Sequence, residues 1–180
     1  MHSAFDVIVI ITTIRFNIRT YNDTSHSMFI THVHMNIFFL SLNPKECAKY
    51  HCDKHVVKMI LESVQLLYSA WWVLEDRAPS DTPYKLTHKN HPCAVWVRTS
   101  IVNYRYLWLL ATYLCQEYTT RYGRTHACER HLASLRAAPR SIPFIPMTLP
   151  AQAMPIEYKH KNPITAYRTY YIKDKRRFAK

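Results

Sequence analysis

The stretch Asn43-Pro-Lys-Glu-Cys-Ala-Lys-Tyr-His-Cys-Asp-Lys-His-Val-Val-Lys-Met-Ile-Leu-Glu-Ser-Val-Gln-Leu-Leu-Tyr-Ser-Ala-Trp-Trp72 decides the fold. It opens with helix punctuation: Asn43 can accept from the free N–H groups of a first turn, Pro44 suits the first helical position, and Glu46 can complete a capping box. No Gly and no further Pro follows until Pro79, which predicts one long helix. On a helical wheel His51, His55, Lys58, Glu62, Gln65 and Ser69 form one narrow polar stripe. Val56, Val57, Met59, Ile60, Leu61, Val64 and Leu67 cover most of the remaining circumference. Such a stripe is ordinarily the wet side of an amphipathic helix. Its content is unusual, because a single carboxylate stands among histidines and a lysine, the composition of a general acid/base site facing an anionic substrate.

Working outward, Arg77–Lys89 reads as loop from its Pro, Ser and Asp content. Asn90-His91-Pro92 predicts the start of a second long helix that runs to about Tyr122, where Gly123 stops it. Arg98, Asn103 and Arg105 interrupt its apolar run and argue against a membrane span. Thr125 is the expected cap of a shorter helix to about Ala137. The five prolines of 139–155 predict an extended connector, and Asn162-Pro163 repeats the Asn-Pro helix opening for a last helix to the C-terminus. The expected fold class is therefore all-α, a single domain of two long helices and two shorter ones, with a possible short strand in the apolar run 36–42. Residues 1–34 differ in character and are expected to be an extension, possibly disordered, with the domain at 35–180 and Met35 as the functional start.

Composition bounds the partner. Lys and Arg outnumber Asp and Glu by 24 to 12, and one Gly in 180 residues excludes Gly-rich phosphate loops. Arg15, Arg19, Asp6 and Asp23 cancel, so the net +12 belongs to residues 35–180. A charge of that size favours a polyanion, nucleic acid first. The five cysteines are odd in number and lack any C-x-x-C, which suggests reduced thiols in an intracellular protein. Val7–Ile14 is too short to span a bilayer, so no membrane partner is expected.

Two further constellations have chemistry in them. Residues 156–180 hold eight Lys/Arg against Glu157 and Asp174, interleaved with aromatics from Tyr167 to Phe178. Cations neutralise phosphates and tyrosine rings stack on bases, so this suits a nucleic-acid surface; the alternative is a helix with Tyr167, Tyr170 and Tyr171 in the core and a solvated basic tail. His51, Cys52, His55, His88, His91 and Cys93 are potential soft-metal ligands, which leaves a metal-dependent hydrolase as an alternative, although His-Glu-x-x-His is absent. No G-x-S-x-G motif indicates a serine nucleophile.

Asp53-Lys-His55 followed by six residues and Glu62 resembles the D-x-H-x6-E segment of phage-type pyrimidine-dimer DNA glycosylases. Tyr167-Arg-x-Tyr-Tyr171-x-Lys173 is similar to their aromatic-basic C-terminal segment. Asn90-His-Pro92 with Trp96, then Glu117-Tyr-Thr-x-Arg-Tyr-Gly123, resembles phage and bacterial proteins grouped with them. The resemblance implies an all-α, viral or phage-type DNA-repair protein that needs no cofactor, flips a base out of damaged double-stranded DNA and cleaves its glycosidic bond. It also implies that an N-terminal α-amine forms a Schiff base with the sugar and a glutamate assists the elimination. Carried over, Glu62 is that glutamate, His55 lines the site, and Met35 or Asn36 supplies the amine. Lys54, Lys58, His91, Arg98, Tyr167, Arg168, Tyr170, Tyr171 and Lys173 are the expected DNA contacts. The family's nucleophile sits on a small residue exposed by Met removal, whereas position 36 here is Asn and 34 residues precede Met35. The remaining alternative is a nucleic-acid-binding module without catalysis.

Overall fold

A computed structural model describes residues 36–176 of the chain. The proposed extension and Met35 lie outside them, as do Arg177 and Phe178. The described residues lie within one compact unit. Among the described residues the architecture is all helix, without strand: α1 (Pro44–Lys49), α2 (Asp53–Glu75), α3 (Pro92–Thr99), α4 (Ile101–Tyr122), a 3-10 turn (Ala127–His131) continuing into α5 (Leu132–Leu135), and α6 (Pro163–Tyr170). A single π-helical turn, Tyr171–Lys175, follows α6.

The two long helices, α2 and α4, pack along one another; α1 lies on α4, and α3 touches both. Their buried faces supply Val56, Ile60, Val64 and Leu67 from α2 and Tyr104, Leu107, Leu110 and Leu114 from α4. Trp71 Nε1 donates to Tyr104 Oη at 3.0 Å, and Tyr104 Oη donates to the Leu135 carbonyl at 2.9 Å, so one relay of buried polar groups fixes α2, α4 and α5 together. Gly123, at φ 66°, ends α4 in the left-handed conformation a side chain disfavours, and its N–H returns to the Thr119 carbonyl at 2.8 Å.

Both predicted long helices are broken. The expected helix from Asn43 divides at Tyr50–Cys52 into α1 and α2, and the expected helix from Asn90 divides at Ser100 into α3 and α4. At the first break the Arg121 guanidinium, from α4, donates to the carbonyls of Lys49 (3.2 Å) and His51 (2.7 Å), while the Cys52 N–H donates to Tyr171 Oη (2.9 Å). Groups that a continuous helix would have paired internally are thus paired across the fold. At the second, Ser100 is extended (φ −147°, ψ 143°); its Oγ accepts from Val102 N–H and donates to the Ile145 carbonyl. His126, not Thr125, caps the following turn, accepting from Cys128 N–H at 3.1 Å. Asn43 and Asn162 cap α1 and α6 as their sequences predict.

The apolar run after Asn36 is an extended segment and pairs with no strand. Ile37, Phe38, Phe39 and Leu40 are all buried. At about 1.5–3 kcal/mol for each fully buried apolar side chain, this anchoring holds the segment far more firmly than its few backbone hydrogen bonds do. It covers the part of the α2 stripe that holds His55 and Glu62. His51, His55, Glu62 and Ser69 are buried rather than wet, and Lys58 reaches out from among them. The connector 139–155 is irregular, tied to α3 and α4 through Thr148, which bonds to Asn103 and Trp96.

Candidate active site

Glu62 projects from the middle of α2 against the head of the buried segment. Its Oε2 accepts from the backbone nitrogen of Asn36 at 2.9 Å, and its Oε1 pairs with Lys58 Nζ at 3.1 Å. The Glu62 side chain is 8 % exposed, while the lysine side chain is 57 % exposed. Two effects oppose each other here. Burial raises the carboxyl pKa, and the Asn36 N–H with the cationic Lys58 lowers it; burial wins, so Glu62 lies above the usual carboxylate range. A carboxyl group raised in that way is a stronger base once ionised than an ordinary surface carboxylate, which suits it to proton transfer.

Asn36 is itself fixed from four directions. Its Nδ2 donates to the Ala153 carbonyl at 2.9 Å, and its Oδ1 accepts from Ile37 N–H at 2.8 Å. Tyr167 Oη lies 3.0 Å from the same Oδ1 and 2.6 Å from the Ala151 carbonyl, and Cys93 Sγ donates to Oδ1 at 3.6 Å. Segment, connector, α3 and α6 therefore converge on one residue.

His55, two turns before Glu62, stacks on Phe38 at 4.8 Å and hydrogen-bonds through Nδ1 to Tyr171 Oη at 2.8 Å. Burial, with Lys175 and Lys58 nearby, pushes it down to about 4, so it is neutral at neutral pH. His51 is likewise held down to about 4 by burial, its Nδ1 donating to the Cys47 carbonyl at 2.7 Å.

The structure thus brings Asn36, His55, Lys58 and Glu62 together, with Tyr171 behind His55. Lys54 is exposed on the first turn of α2, and Lys173 on the π-helical turn. The other expected DNA contacts divide. Tyr167 and Tyr170 are 0 % and 4 % exposed, so their rings belong to the core and present no face to a base, correcting the stacking expected of them. His91 caps α3, accepting from Cys93 N–H at 3.2 Å, and Arg98 donates to the Lys89 carbonyl at 2.7 Å. Arg168 donates to the Leu40 carbonyl at 2.8 Å and stands over the Tyr50 ring. Sequence reasoning missed the convergence of Cys93, Ala153 and Tyr167 on Asn36, for which no local signal exists. Among the described residues no three His, Cys, Asp or Glu side chains are placed to hold a metal ion. Nor is any helix among them long and apolar enough to cross a membrane.

The family profile for pyrimidine dimer DNA glycosylases matches residues 35–130, more than half of the chain. The chain belongs to that family. The match begins at the residue before Asn36 and spans His55, Glu62 and the two long helices, so it contains the Asn36–Glu62 contact. Membership gives the general assignment of a DNA-repair glycosylase that binds damaged DNA. No curated protein and no solved structure matches the chain. The connector and α6, which complete the surroundings of Asn36, lie beyond the glycosylase family match.

Proposed function

We propose that this glycosylase excises a pyrimidine at a dimer in double-stranded DNA by attack of an α-amine carried on Asn36, with Glu62 as the proton-transferring carboxylate. The observation that carries this reading is the 2.9 Å contact between the Asn36 nitrogen and Glu62 Oε2. When Asn36 is the first residue, that nitrogen is a primary amine. Its ordinary pKa of about 7.7–8.0 leaves far more free base at neutrality than a lysine at about 10.4. The amine attacks C1′ of the extruded nucleotide, the base departs, and the resulting Schiff base opens the sugar for β-elimination of the 3′ phosphate. Glu62 takes the proton that the attacking nitrogen loses. The buried segment 37–40 holds the amine in place before substrate arrives, the positioning such a bimolecular step requires. Neutral His55 shapes the wall beside Glu62. Lys54, Lys58 and Lys173 meet backbone phosphates, while Arg98 and Arg168 act mainly through the carbonyls they hold.

Borohydride trapping on abasic duplex tests the reading with three forms: the 180-residue chain, a chain starting at Met35, and one whose first residue is Asn36. The last should be trapped strongly and the first weakly or not at all. Equal trapping of all three would move the nucleophile to an internal lysine, Lys58 foremost.

A further inference from the structure

Among the described residues two non-glycine positions have positive φ, Asp76 at 52° and His88 at 50°. Asp76 ends α2, an ordinary place for a left-handed residue. His88 ends no helix. It lies in the loop 87–91, and its conformation is imposed from both sides. Ser69 Oγ donates to the Thr87 carbonyl at 3.1 Å and lies 3.4 Å from the Thr87 N–H. Beyond His88, the His91 N–H closes a turn onto the His88 carbonyl at 2.8 Å, and Arg98 holds the Lys89 carbonyl. Backbone strain that the surroundings over-determine in this way is concentrated at functional sites. Here packing gives no reason for it, because the His88 side chain is exposed.

The two anchors of the loop lead to the same place. Ser69 lies on the α2 stripe two turns beyond Glu62, and Cys93, two residues past His91, touches Asn36 Oδ1. The loop is therefore strung along the rim of the Glu62–Asn36 site, and the charge of His88 acts on the Glu62 carboxyl. Its Nδ1 is paired with Thr87 Oγ1; its Nε2 has no hydrogen-bond partner among the described residues. The other histidines near the site are poorly suited to deliver a proton. His55 and His51 are buried and neutral, and His91 is engaged as the α3 cap.

We propose that His88 is a catalytic residue of this glycosylase, protonating the pyrimidine as it leaves. The inference rests on the amine reading above. As the Asn36 nitrogen forms its bond to C1′, the C1′–N1 bond breaks and its electron pair passes to the pyrimidine. His88 Nε2–H gives its proton to a carbonyl oxygen of that departing ring and becomes neutral imidazole. The proton lost by the attacking nitrogen goes to Glu62, so charge balances on both sides.

An abasic site has no base to expel, which separates this role from contacts to the DNA backbone and from positioning of the amine. The test compares His88→Asn and His88→Gly with the parent, each beginning at Asn36, on two duplexes alike except for a single pyrimidine dimer or a single abasic site. Both replacements accept a left-handed backbone, and Gly removes its strain, so melting temperature should hold for Asn and hold or rise for Gly. Single-turnover base release from the dimer should slow by about 100-fold or more, the usual worth of a general acid. Borohydride trapping on the abasic duplex should be unchanged. Equal slowing on both duplexes would make His88 a DNA-contacting or positioning residue and overturn the proposal, as would unchanged dimer excision. A parent that is trapped on the abasic duplex but releases no base from the dimer also overturns it, removing the dimer as substrate while the amine at Asn36 stands as the nucleophile. A parent that does neither sinks the amine reading, and this proposal with it.

Discussion

Glu62 is a buried carboxyl group, and the ionised form that the proposed proton transfer needs is the form its burial disfavours. Its raised pKa means that the folded state favours the protonated acid, so its contribution to stability is full below the ordinary carboxylate range and is lost as pH rises through the raised value. Glu62→Gln keeps the shape and an acceptor for the Asn36 N–H. We expect this variant to lose strand cleavage, to bind damaged duplex nearly as well, and to be at least as stable as the parent at neutral pH. In urea titrations from about pH 4 to 8 its stability advantage should open as pH rises. Parallel loss of binding and stability would make Glu62 a structural ion-pair partner of Lys58. The histidines have the opposite sign. His51 and His55 are both depressed to about 4 from an ordinary value of 6.5, so the stability tied to their neutral forms is present above about 6.5 and lost as pH falls toward 4. Each proton taken up on unfolding steepens that loss by about 1.4 kcal/mol per pH unit. In the Glu62→Gln background, where the opposing carboxylate is gone, the slope between those values should approach two protons. A flat profile would mean that neither imidazole is held neutral.

At the scale of elements, what could be read in the sequence was local and what could not was long-range. The caps at Asn43 and Asn162, the stop at Gly123, the proline connector and the stripe containing His55 and Glu62 are written within a few residues of where they act. The break between α1 and α2 is not, because Tyr50-His51-Cys52 contains no helix breaker and the partners that stabilise it stand 70 and 119 residues away, at Arg121 and Tyr171. The same holds for Asn36, whose partners at Ala153 and Tyr167 are 117 and 131 residues distant. Glu117 and Arg121 form an i,i+4 pair on α4 that aims a guanidinium at the end of α1. Its bridge to Asp53, whose side chain is 68 % exposed, is worth under about 1 kcal/mol, so the carbonyl bonds carry the effect. Arg121→Met should therefore cost roughly 2–4 kcal/mol in urea unfolding, the range for losing hydrogen bonds to a charged group. Asp53→Asn should cost little. Arg121→Lys should fail to rescue, since a single ammonium does not reproduce the fork that spans both carbonyls. If Asp53→Asn costs as much as Arg121→Met, the ion pair and not the cap holds the junction.

For the whole molecule the question is which part of the net +12 meets DNA. The basic, aromatic C-terminal segment reads in sequence as one surface, and the fold divides it. Tyr167 and Tyr170 turn inward, Arg168 is committed to the Leu40 carbonyl and through it to the segment that positions Asn36, and Lys175 lies over the Tyr170 ring beside Asp174. Lys173 and Arg176 are exposed. Neutralising a cation that displaces a counterion from duplex DNA lowers the salt slope of binding by about 0.9 per phosphate contact. Lys173→Gln with Arg176→Gln should therefore weaken binding to every sequence, damaged or intact, and flatten the slope by up to about twice that increment. Arg168→Gln should behave differently. It releases the Leu40 carbonyl and loosens the N-terminal segment, so cleavage should fall more than affinity, with a smaller change in slope. Binding measured by fluorescence anisotropy across a salt series, beside single-turnover cleavage, distinguishes the two. An unchanged slope in the double variant would turn this end of the chain away from the duplex and leave Lys54 and Lys58, beside Glu62, as the first electrostatic contacts to test.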